Sequence, residues 1–330
     1  RWEKTTTVNV GVDFALFRHR LSGTIEYYNK YSVDLLAAIN GSPTQGFGYT
    51  TLMTNNGKMV NRGVEITLSG EIIRQKDFSW NASLLYAFNR NKVKHISVQP
   101  SLWDSRISMP TSYPMVGKPL YGIYAYKWAG LNENGDPQVY DAENNVTSGP
   151  ARDYHALVYC GTTVPIHNAS LTNVLRYKGF EFSAMLILDA GHKLRSSNIP
   201  SINMSNGRIT STAKGIVDRW TQPGDVTDVP RLLFSNDTEN FNTHRTELYR
   251  YSDLFVYDAS NIRLSNISLA YRVPAHWCKK ISLSGARLQF NVENVATFAF
   301  DSKANYDLGG KVKPNYVCLL YTSPSPRDGA

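Results

Sequence analysis

The chain has 330 residues, of which 19% are charged and 42% hydrophobic, and its formal net charge is +8. Such a composition fits a soluble protein, but it also fits a transmembrane barrel, because half of the strand residues of a barrel face water. No run approaches about 18 consecutive apolar residues, which excludes a membrane-spanning helix. The basic residues are scattered over turns and loops without a basic helix, so their charge does not indicate a nucleic-acid partner.

The first predicted hairpin joins two alternating strands through a short basic turn. Apolar and polar residues alternate from Thr5 to Phe17 and from Leu21 to Tyr31, and Arg18-His19-Arg20 connects the two runs. A period of two is typical of a β-strand that has one apolar and one polar face. The apolar face carries Val10 and Val12, and the polar face carries Thr7, Asn9, Asp13 and Glu26.

The clearest pattern in the chain is a hairpin from Met59 to Asn91. Its arms alternate on both sides of the polar turn Arg74-Gln75-Lys76-Asp77, and Leu85 is the apolar exception on the polar face. A slip of one residue would exchange the two faces, so the register is strongly specified. The apolar face holds Val64, Ile66, Trp80 and Leu84, and the polar face holds Glu65, Thr67, Asn81 and Ser83.

The second arm of this hairpin is long for a soluble strand. From Phe78 to Phe88 it spans about 33 Å at roughly 3.3 Å per residue, and a tilt of about 40° leaves a height of about 25 Å. That height matches the apolar band of an outer-membrane barrel, whereas soluble strands are about half as long. Trp80 near the turn, and Tyr86 and Phe88 near the other end, lie where two aromatic girdles are expected.

Two further hairpins complete the series of predicted strands. The third pairs residues 170–176 with 180–190, and its apolar face includes Phe182 and Leu186. The fourth pairs residues 262–271 with 281–294. On its second strand two apolar residues alternate with three polar ones: Leu288 and Phe290 with Arg287, Gln289 and Asn291. Each hairpin therefore repeats the same division into an apolar and a polar face.

The connections favour a membrane barrel over a soluble sandwich. Short turns follow the first, third, fifth and seventh strands, and long segments rich in Gly, Pro and Asn follow the others. Outer-membrane barrels have short periplasmic turns and long extracellular loops, and soluble sandwiches have no need of this asymmetry. We therefore expect an all-β fold, an antiparallel transmembrane β-barrel whose apolar face contacts outer-membrane lipid and whose polar face lines a lumen. A passive porin or adhesin barrel and a soluble carbohydrate-binding β-sandwich remain alternatives.

Several motifs occur in order along almost the whole chain. They are Trp2-Glu3-Lys4-Thr5-Thr6, Asn61-Arg62-Gly63-Val64-Glu65-Ile66, Gly117-Lys118-Pro119-Leu120-Tyr121-Gly122, Arg219-Trp220-Thr221-Gln222-Pro223-Gly224-Asp225 and Asp258-Ala259-Ser260-Asn261-Ile262-Arg263-Leu264. Together they resemble the motifs of SusC/RagA-type TonB-dependent outer-membrane transporters.

This resemblance implies a barrel of about 22 strands with an internal plug, in the outer membrane of a Gram-negative bacterium. It implies import of glycans or oligopeptides together with a SusD-like surface lipoprotein. It also implies energy coupling by the TonB-ExbB-ExbD complex through an N-terminal part that this sequence does not include. No cofactor is implied, and the expected role is transport and not catalysis.

Both ends of the sequence lead us to expect a fragment. The chain begins at Arg1 without a methionine, and the segment from Cys318 to Asp328 resembles a translated transposase-type sequencing adapter. A natural tail rich in Pro and Ser is the alternative. We expect residues 1–317 to be the C-terminal part of a TonB-dependent receptor barrel, with about eight strands and a truncated last one. Residues 318–330 are expected to be a non-native tail.

Candidate chemistry is sparse. The run Asp189-Ala190-Gly191-His192-Lys193 brings an acid and a base together without a nucleophile motif, and Asn132-Glu133-Asn134-Gly135-Asp136 has oxygen ligands without the spacing of a Ca²⁺ loop. Both are interpreted as structural turns, and no metal site is expected. A disulfide between Cys160 and Cys278 would be conceivable in an oxidising compartment. Four aromatic rings could stack on a sugar or contact a lid, or could simply pack within loops: Tyr124, Tyr126, Trp128 and Trp220.

Overall fold

The computed structural model describes residues 2–40, 51–97, 105–149, 153–204, 213–234, 243–280, 282–309 and 315–324. Its strands in chain order are β1 (Lys4–Leu16), β2 (Leu21–Asn40), β3 (Thr51–Arg74), β4 (Phe78–His95), β5 (Gly122–Tyr126), β6 (Trp128–Leu131), β7 (Pro137–Tyr140), β8 (Val146–Thr147), β9 (Leu157–Thr162), β10 (His167–Tyr177), β11 (Phe180–Ala190), β12 (Lys193–Arg195), β13 (Asn203–Met204), β14 (Leu233–Phe234), β15 (Val256–Asp258), β16 (Asn261–Arg272), β17 (Leu283–Ala299) and β18 (Asn315–Pro324).

The helices are few and short. They are α1 (Ser105–Ser108), α2 (Thr243–Arg250), α3 (Ala275–Lys280) and α4 (Asn305–Gly309), with 3₁₀ turns at Tyr154–Ala156, Lys214–Asp218, Asp253–Phe255 and Ser302–Ala304. Among the residues described, none of these helices has the length and apolar character needed to cross a membrane.

One sheet of nine strands dominates the fold, in the order β1-β2-β3-β4-β10-β11-β16-β17-β18. Every strand is antiparallel to its neighbours, and the order follows the chain. Because directly paired residues share a face, the period-two pattern of each strand continues sideways as rows across the sheet. One such row is formed by Val12, Ile25, Ile66, Tyr86, Ala169, Leu188, Ile262 and Phe298.

The sequence predicts the existence and order of these strands correctly but underestimates their length. β3 has 24 residues and β4 has 18. β2 continues to Asn40 because irregular pairing near Ser32 and Leu35, with Asp34 at φ 57°, absorbs a break in the alternation. The expected long loop before the central hairpin is therefore mostly strand. What separates β2 from β3 is residues 41–50, which lie outside the described part of the chain.

The sandwich alternative does not fit this topology. A sandwich needs a second sheet stacked on the first. In the described ranges the remaining sheets contain only two or three strands each: β12-β15, β13-β14, β5-β9 and β6-β7-β8. These small sheets belong to the long connections, so the apolar face of the main sheet has no partner sheet of matching size.

The last strand covers part of the expected non-native tail. Residues 318–324 pair through their backbones with β17, in continuation of residues 315–317, and residues 325–330 lie outside the described residues. The proposed boundary at residue 317 and the adapter origin of the tail stay predictions.

The two long connections β4–β10 and β11–β16 fold together at one end of the main sheet. We call their described residues, 105–149, 153–166, 191–204, 213–234 and 243–260, the loop cluster. The opposite end carries the short turns at 17–20, 75–77 and 178–179 and the longer turn at 273–282, which contains α3. This arrangement confirms the predicted asymmetry between short and long connections.

Candidate functional site

The register sorts the residues predicted to face lipid and lumen onto opposite faces of the main sheet. Leu84 is opposite Leu171, and Leu171 is opposite Leu186. Leu84 and Leu186, both predicted to face lipid, thus form one row with the apolar Leu171. On the other face Asn81 is connected to Asn291 through paired residues of β10, β11 and β16.

The apolar face contains the whole predicted lipid-facing set: Val10, Val12, Val64, Ile66, Trp80, Leu84, Phe182, Leu186, Leu288 and Phe290. The polar face contains the whole predicted lumen-facing set: Thr7, Asn9, Asp13, Glu26, Glu65, Thr67, Asn81, Ser83, Arg287, Gln289 and Asn291. What each face contacts stays a prediction at this point.

Cross-strand polar contacts hold the polar face together. Glu181 accepts a hydrogen bond from Arg176 Nε at 2.7 Å and from Arg287 Nη2 at 3.0 Å. Nearer the loop cluster, Asp189 accepts from Asn168 Nδ2 at 2.8 Å and pairs with Arg263 at 3.3 Å. Of these residues only Arg287 belongs to the predicted set, although the same alternation around Phe182 could have identified Glu181 and Asp189.

Aromatic side chains concentrate at both ends of the apolar face. At the turn end, one row of directly paired residues crosses four strands: Phe78, Tyr177, Phe180 and Tyr271. At the other end Phe88 is paired with His167, whose Nδ1 lies 2.8 Å from the hydroxyl of Tyr86. Of the girdle positions expected from the sequence, Tyr86 and Phe88 lie at this end, and Trp80 lies one row inside the turn-end row, opposite Leu175.

One polar residue on the apolar face has a partner there. Asn173 lies opposite Ala82, and its Oδ1 accepts a hydrogen bond from Trp80 Nε1 at 3.1 Å. Because the indole N–H and the amide oxygen satisfy each other, both can remain on a face without water.

The loop cluster has a hydrophobic core of its own. Tyr124 and Tyr126 are each 1% exposed and pack with Leu157 and Leu248. Arg195 fixes this core to the second long connection, because it donates to the carbonyl oxygens of Tyr124, Arg250 and Ser252. Tyr124 and Tyr126 therefore pack within the loops, which is one of the alternatives that the sequence left open, and their rings have no free face for a sugar. β5 is buried on both faces, and its alternation alone could not show which segment covers it.

The two tryptophans predicted as contacts differ in their surroundings. Trp128 packs at a tilt against Tyr249, with ring centroids 5.9 Å apart, and donates from Nε1 to Asp228 at 3.0 Å. Trp220 is half-buried and lies directly over Gly135. It also lines an open groove with Leu131, Asn132, Glu133, Pro223, Gly224, Asp225, Val226 and Thr227. Trp220 therefore borders an open groove, whereas Tyr124 and Tyr126 are buried.

A buried ion cluster connects three segments of the loop cluster. Asp136 accepts two hydrogen bonds from Arg231, at 3.0 and 2.8 Å, and one from Arg245 Nε at 2.8 Å. Arg245 also donates to Asn203 Oδ1 and to the carbonyl oxygen of Arg231. Its side chain is 4% exposed, so its charge depends on these partners.

This ion cluster also settles the role of the acidic turn. The carboxylate of Asp136 is committed to arginines, and Asn132 Oδ1 accepts the backbone N–H groups of Asn134 and Asp136. The turn is therefore structural, as the sequence interpretation has it. No group of three or more metal-ligating side chains occurs within the described residues.

The acid–base pair at the end of β11 is likewise held in structural contacts. Lys193 Nζ lies 3.1 Å from Asp258 Oδ2, and Asp189 is engaged by Arg263 and Asn168. Burial lowers the pKa of His192, although the nearby carboxylates of Asp189 and Asp258 act in the opposite direction. Lowering the pKa of a histidine keeps its ring neutral at pH 7.

Both described cysteines are free thiols. Burial is the main cause that raises the pKa of Cys160 to about 11, and the charge of Asp253 adds to it. A thiol with such a pKa is poorly reactive at neutral pH, because the thiolate is the nucleophile. The structure contains no disulfide between Cys160 and Cys278, because both are free thiols in it.

Acid should weaken the loop cluster through Asp258. Partial burial tends to raise the pKa of this carboxyl, but hydrogen bonds from Ser260 and Lys193 outweigh it and lower the pKa to about 2. A lowered pKa stabilises the fold above the unfolded value of about 3.9, and this stabilisation is lost as the pH falls towards the folded value.

The loop cluster is expected to lose stability as the pH falls from about 4 to about 2. In Asp258→Asn this pH-dependent loss should be smaller, because the titrating carboxyl is absent. Hydrogen exchange of β12 and β15 amides over this range measures it. The effect is modest, because the Asp258 side chain is 40% exposed and solvent screens its interactions. Equal pH dependence of the two proteins would contradict the assignment.

A glycine pair tests whether Trp220 anchors its segment. Gly135 has φ +73° and a Cβ there would overlap the Trp220 ring, whereas Gly130 has φ +98° and open space around it. Gly130→Ala should cost about 1–2 kcal/mol for its left-handed backbone alone. Gly135→Ala should cost about 1–3 kcal/mol more, because the indole must move. Hydrogen exchange compares the two variants, and equal costs would show that Trp220 is not fixed by Gly135.

Comparison with known proteins agrees with this architecture. Residues 1–295 match the family model described as TonB dependent receptor-like, beta-barrel. The chain is 26% identical to TonB-dependent receptor P3 of Formosa agariphila, over 93% of this chain and 31% of that protein. It is 25% identical to TonB-dependent receptor SusC of Bacteroides thetaiotaomicron, over 89% of this chain and 28% of that protein.

Solved structures show the same fold. The RagAB peptide transporter superimposes with a TM-score of 0.75 at 21% identity, over 97% of this chain and 35% of that chain. The chain thus spans about a third of the length of the relatives it matches. These matches confirm the SusC/RagA resemblance and the barrel fold predicted from the sequence. The chain belongs to the TonB-dependent receptor-like β-barrel family.

Proposed function

We propose that this chain forms part of the wall and mouth of a TonB-dependent importer in the outer membrane of a Gram-negative bacterium. The single observation that carries the proposal is the main sheet, in which the register places the alternating apolar positions of β1, β2, β3, β4, β10, β11, β16 and β17 on one face. In hydrocarbon all backbone polar groups must pair, and a closed antiparallel barrel meets this need, so we propose that the edges at β1 and β18 pair with further strands of the complete transporter. The apolar face then contacts lipid, and the polar face borders a water-filled lumen.

The proposed cargo is a glycan or an oligopeptide, captured together with a SusD-like surface lipoprotein. Support comes from two relatives, one named SusC and the other titled a peptide transporter. The groove beside Trp220 is the proposed contact for cargo or for the lipoprotein. It combines an indole ring with the carboxylates of Glu133 and Asp225, and these groups suit both sugars and peptides.

We propose that the chain performs no catalysis itself. Three of the charged side chains that the sequence singled out, Asp136, Asp189 and Lys193, are engaged in structural ion pairs. Energy would come from the TonB-ExbB-ExbD complex, acting on parts of the transporter outside this chain.

An uptake assay tests the proposal. The complete transporter gene is deleted and restored in its host, and uptake of labelled oligosaccharides and oligopeptides is measured with and without TonB. Uptake of one substrate class should require both the gene and TonB. Gene-dependent uptake that continues without TonB would instead indicate a passive porin, the alternative left open by the sequence.

A further inference from the structure

The short-turn end of the main sheet is strongly basic. The segments 17–20, 74–77, 178–179 and 273–282 have Asp77 as their one acidic residue. Their lysines and arginines, which we call the basic rim, are all exposed: Arg18, Arg20, Arg74, Lys76, Lys178, Lys279 and Lys280. The loop cluster at the other end contains acids and bases in paired contacts.

Among the residues that the structure describes, two of these cations bind oxygen atoms of the chain. Arg20 donates to the carbonyl oxygens of Glu71 and Ile72, and Arg74 pairs with the carboxylate of Glu71. The others have no carboxylate partner within the described residues: Arg18, Lys76, Lys178, Lys279 and Lys280. Lys178 lies 5.3 Å from the ring centroid of Tyr177, which fixes its position without neutralising its charge. The rim therefore presents unbalanced positive charge on four successive turns.

Exposed aromatic rings lie beside the rim on the apolar face. The row Phe78, Tyr177, Phe180 and Tyr271 lies where the strands meet the turns. The rings of Phe180 and Tyr271 contact each other at a tilt, with centroids 4.5 Å apart. Phe17 is 74% exposed, and Trp277, on α3 two residues before Lys279, is 55% exposed. Aromatic rows of this kind lie at the boundary between hydrocarbon and headgroups. The adjoining cations are therefore at headgroup depth.

We infer that the basic rim binds the headgroups of anionic phospholipids, of the phosphatidylglycerol class, in the leaflet on the short-turn side. The inference rests on the proposed function, since that places the apolar face in a membrane. Each Lys or Arg near an anionic bilayer surface strengthens attraction by a factor of about five. α3 adds Trp277 as an interfacial anchor between the headgroups and the sheet.

Lipid binding by the complete transporter tests the inference. The purified protein in neutral detergent is mixed with phosphatidylglycerol or with phosphatidylcholine of the same chain length, and bound lipids are counted by native mass spectrometry. A rim variant carries Arg18→Gln, Lys76→Gln, Lys178→Gln, Lys279→Gln and Lys280→Gln. A matched variant removes five exposed lysines at the loop end: Lys4→Gln, Lys94→Gln, Lys127→Gln, Lys214→Gln and Lys303→Gln.

The wild-type protein should retain phosphatidylglycerol in preference to phosphatidylcholine. The rim variant should lose at least about tenfold in apparent affinity for phosphatidylglycerol, and the matched variant should keep it. High salt should weaken the wild-type preference. Equal retention of the two lipids, or equal losses in the two variants, would overturn the inference.

Quenching of Trp277 fluorescence gives a second measurement, which does not require the rim variant with its five substitutions to fold. The protein is reconstituted in vesicles that contain bromine-labelled phosphatidylglycerol, and its fluorescence is compared with that of Trp277→Phe. The fluorescence that Trp277 contributes is the difference between the two proteins. Bromine-labelled phosphatidylglycerol should quench this fluorescence more than bromine-labelled phosphatidylcholine does. Equal quenching by the two lipids would contradict binding of phosphatidylglycerol at the basic rim. TonB-dependent uptake is scored separately, so failure of lipid binding is distinguishable from failure of the proposed import.

Discussion

Replacing Asp136 with alanine is expected to destabilise the loop cluster by about 3–5 kcal/mol. The carboxylate accepts hydrogen bonds from both Arg231 and Arg245. Without it two cations stay close together, and Arg245, at 4% exposure, cannot recover water without opening the cluster. Hydrogen exchange of the α2 and β7 amides in the complete transporter measures the change, because α2 contains Arg245 and β7 begins directly after Asp136.

Glu133→Ala is the matched control for this prediction. Glu133 is an exposed acid in the same turn, so its removal should change stability by less than about 0.5 kcal/mol. A double substitution, Asp136→Ala with Arg231→Ala, should cost less than the sum of the two single changes, because it removes one of the unpaired cations. Additive costs, or similar effects of Glu133→Ala and Asp136→Ala, would contradict the ion cluster as the link between these segments.

Leu84→Arg is expected to cost about 2–4 kcal/mol of folding free energy in a bilayer. Leu84 lies midway between the two aromatic rows, in a row with Leu68, Leu171 and Leu186. If that face contacts acyl chains, a guanidinium there must be desolvated or must thin the membrane locally. The folding free energy of the reconstituted transporter in denaturant measures the cost.

Ser83→Arg, one residue away, is the control. Ser83 is exposed on the polar face, where its hydroxyl lies 3.3 Å from that of Ser69. An arginine at this position enters water in the proposed lumen and should change stability by about 1 kcal/mol or less. If Ser83→Arg were the more harmful of the two, the assignment of the faces would be reversed.

Alternation of side chains was sufficient to predict the main sheet, its strand order and the composition of both faces. That signal is local, because the side-chain period of a strand is two and antiparallel neighbours continue it. It failed where the backbone departs from regular geometry. The irregular pairing near Asp34, at φ 57°, lets β2 run on to Asn40, although the alternation ends earlier.

The loop cluster could not be predicted in this way. Asp136 and Arg245 are 109 positions apart, and no pattern around either residue identifies the other. Tyr124 and Tyr126 had the composition of a ligand platform, but the covering residue Leu248 comes from a different connection. Which aromatic ring is buried thus depends on how two long segments pack together, and strand periodicity carries no information about that.

The central claim is that the apolar face meets acyl chains and the polar face meets water, and spin labels test it most directly. Single nitroxides are placed at residues 64 to 67 of β3 in the reconstituted transporter, and their collisions with oxygen and with a water-soluble nickel complex are recorded. The account predicts high oxygen access at Val64 and Ile66 and high nickel access at Glu65 and Thr67. Oxygen and nickel access that do not alternate, or that alternate in the opposite sense, would contradict it.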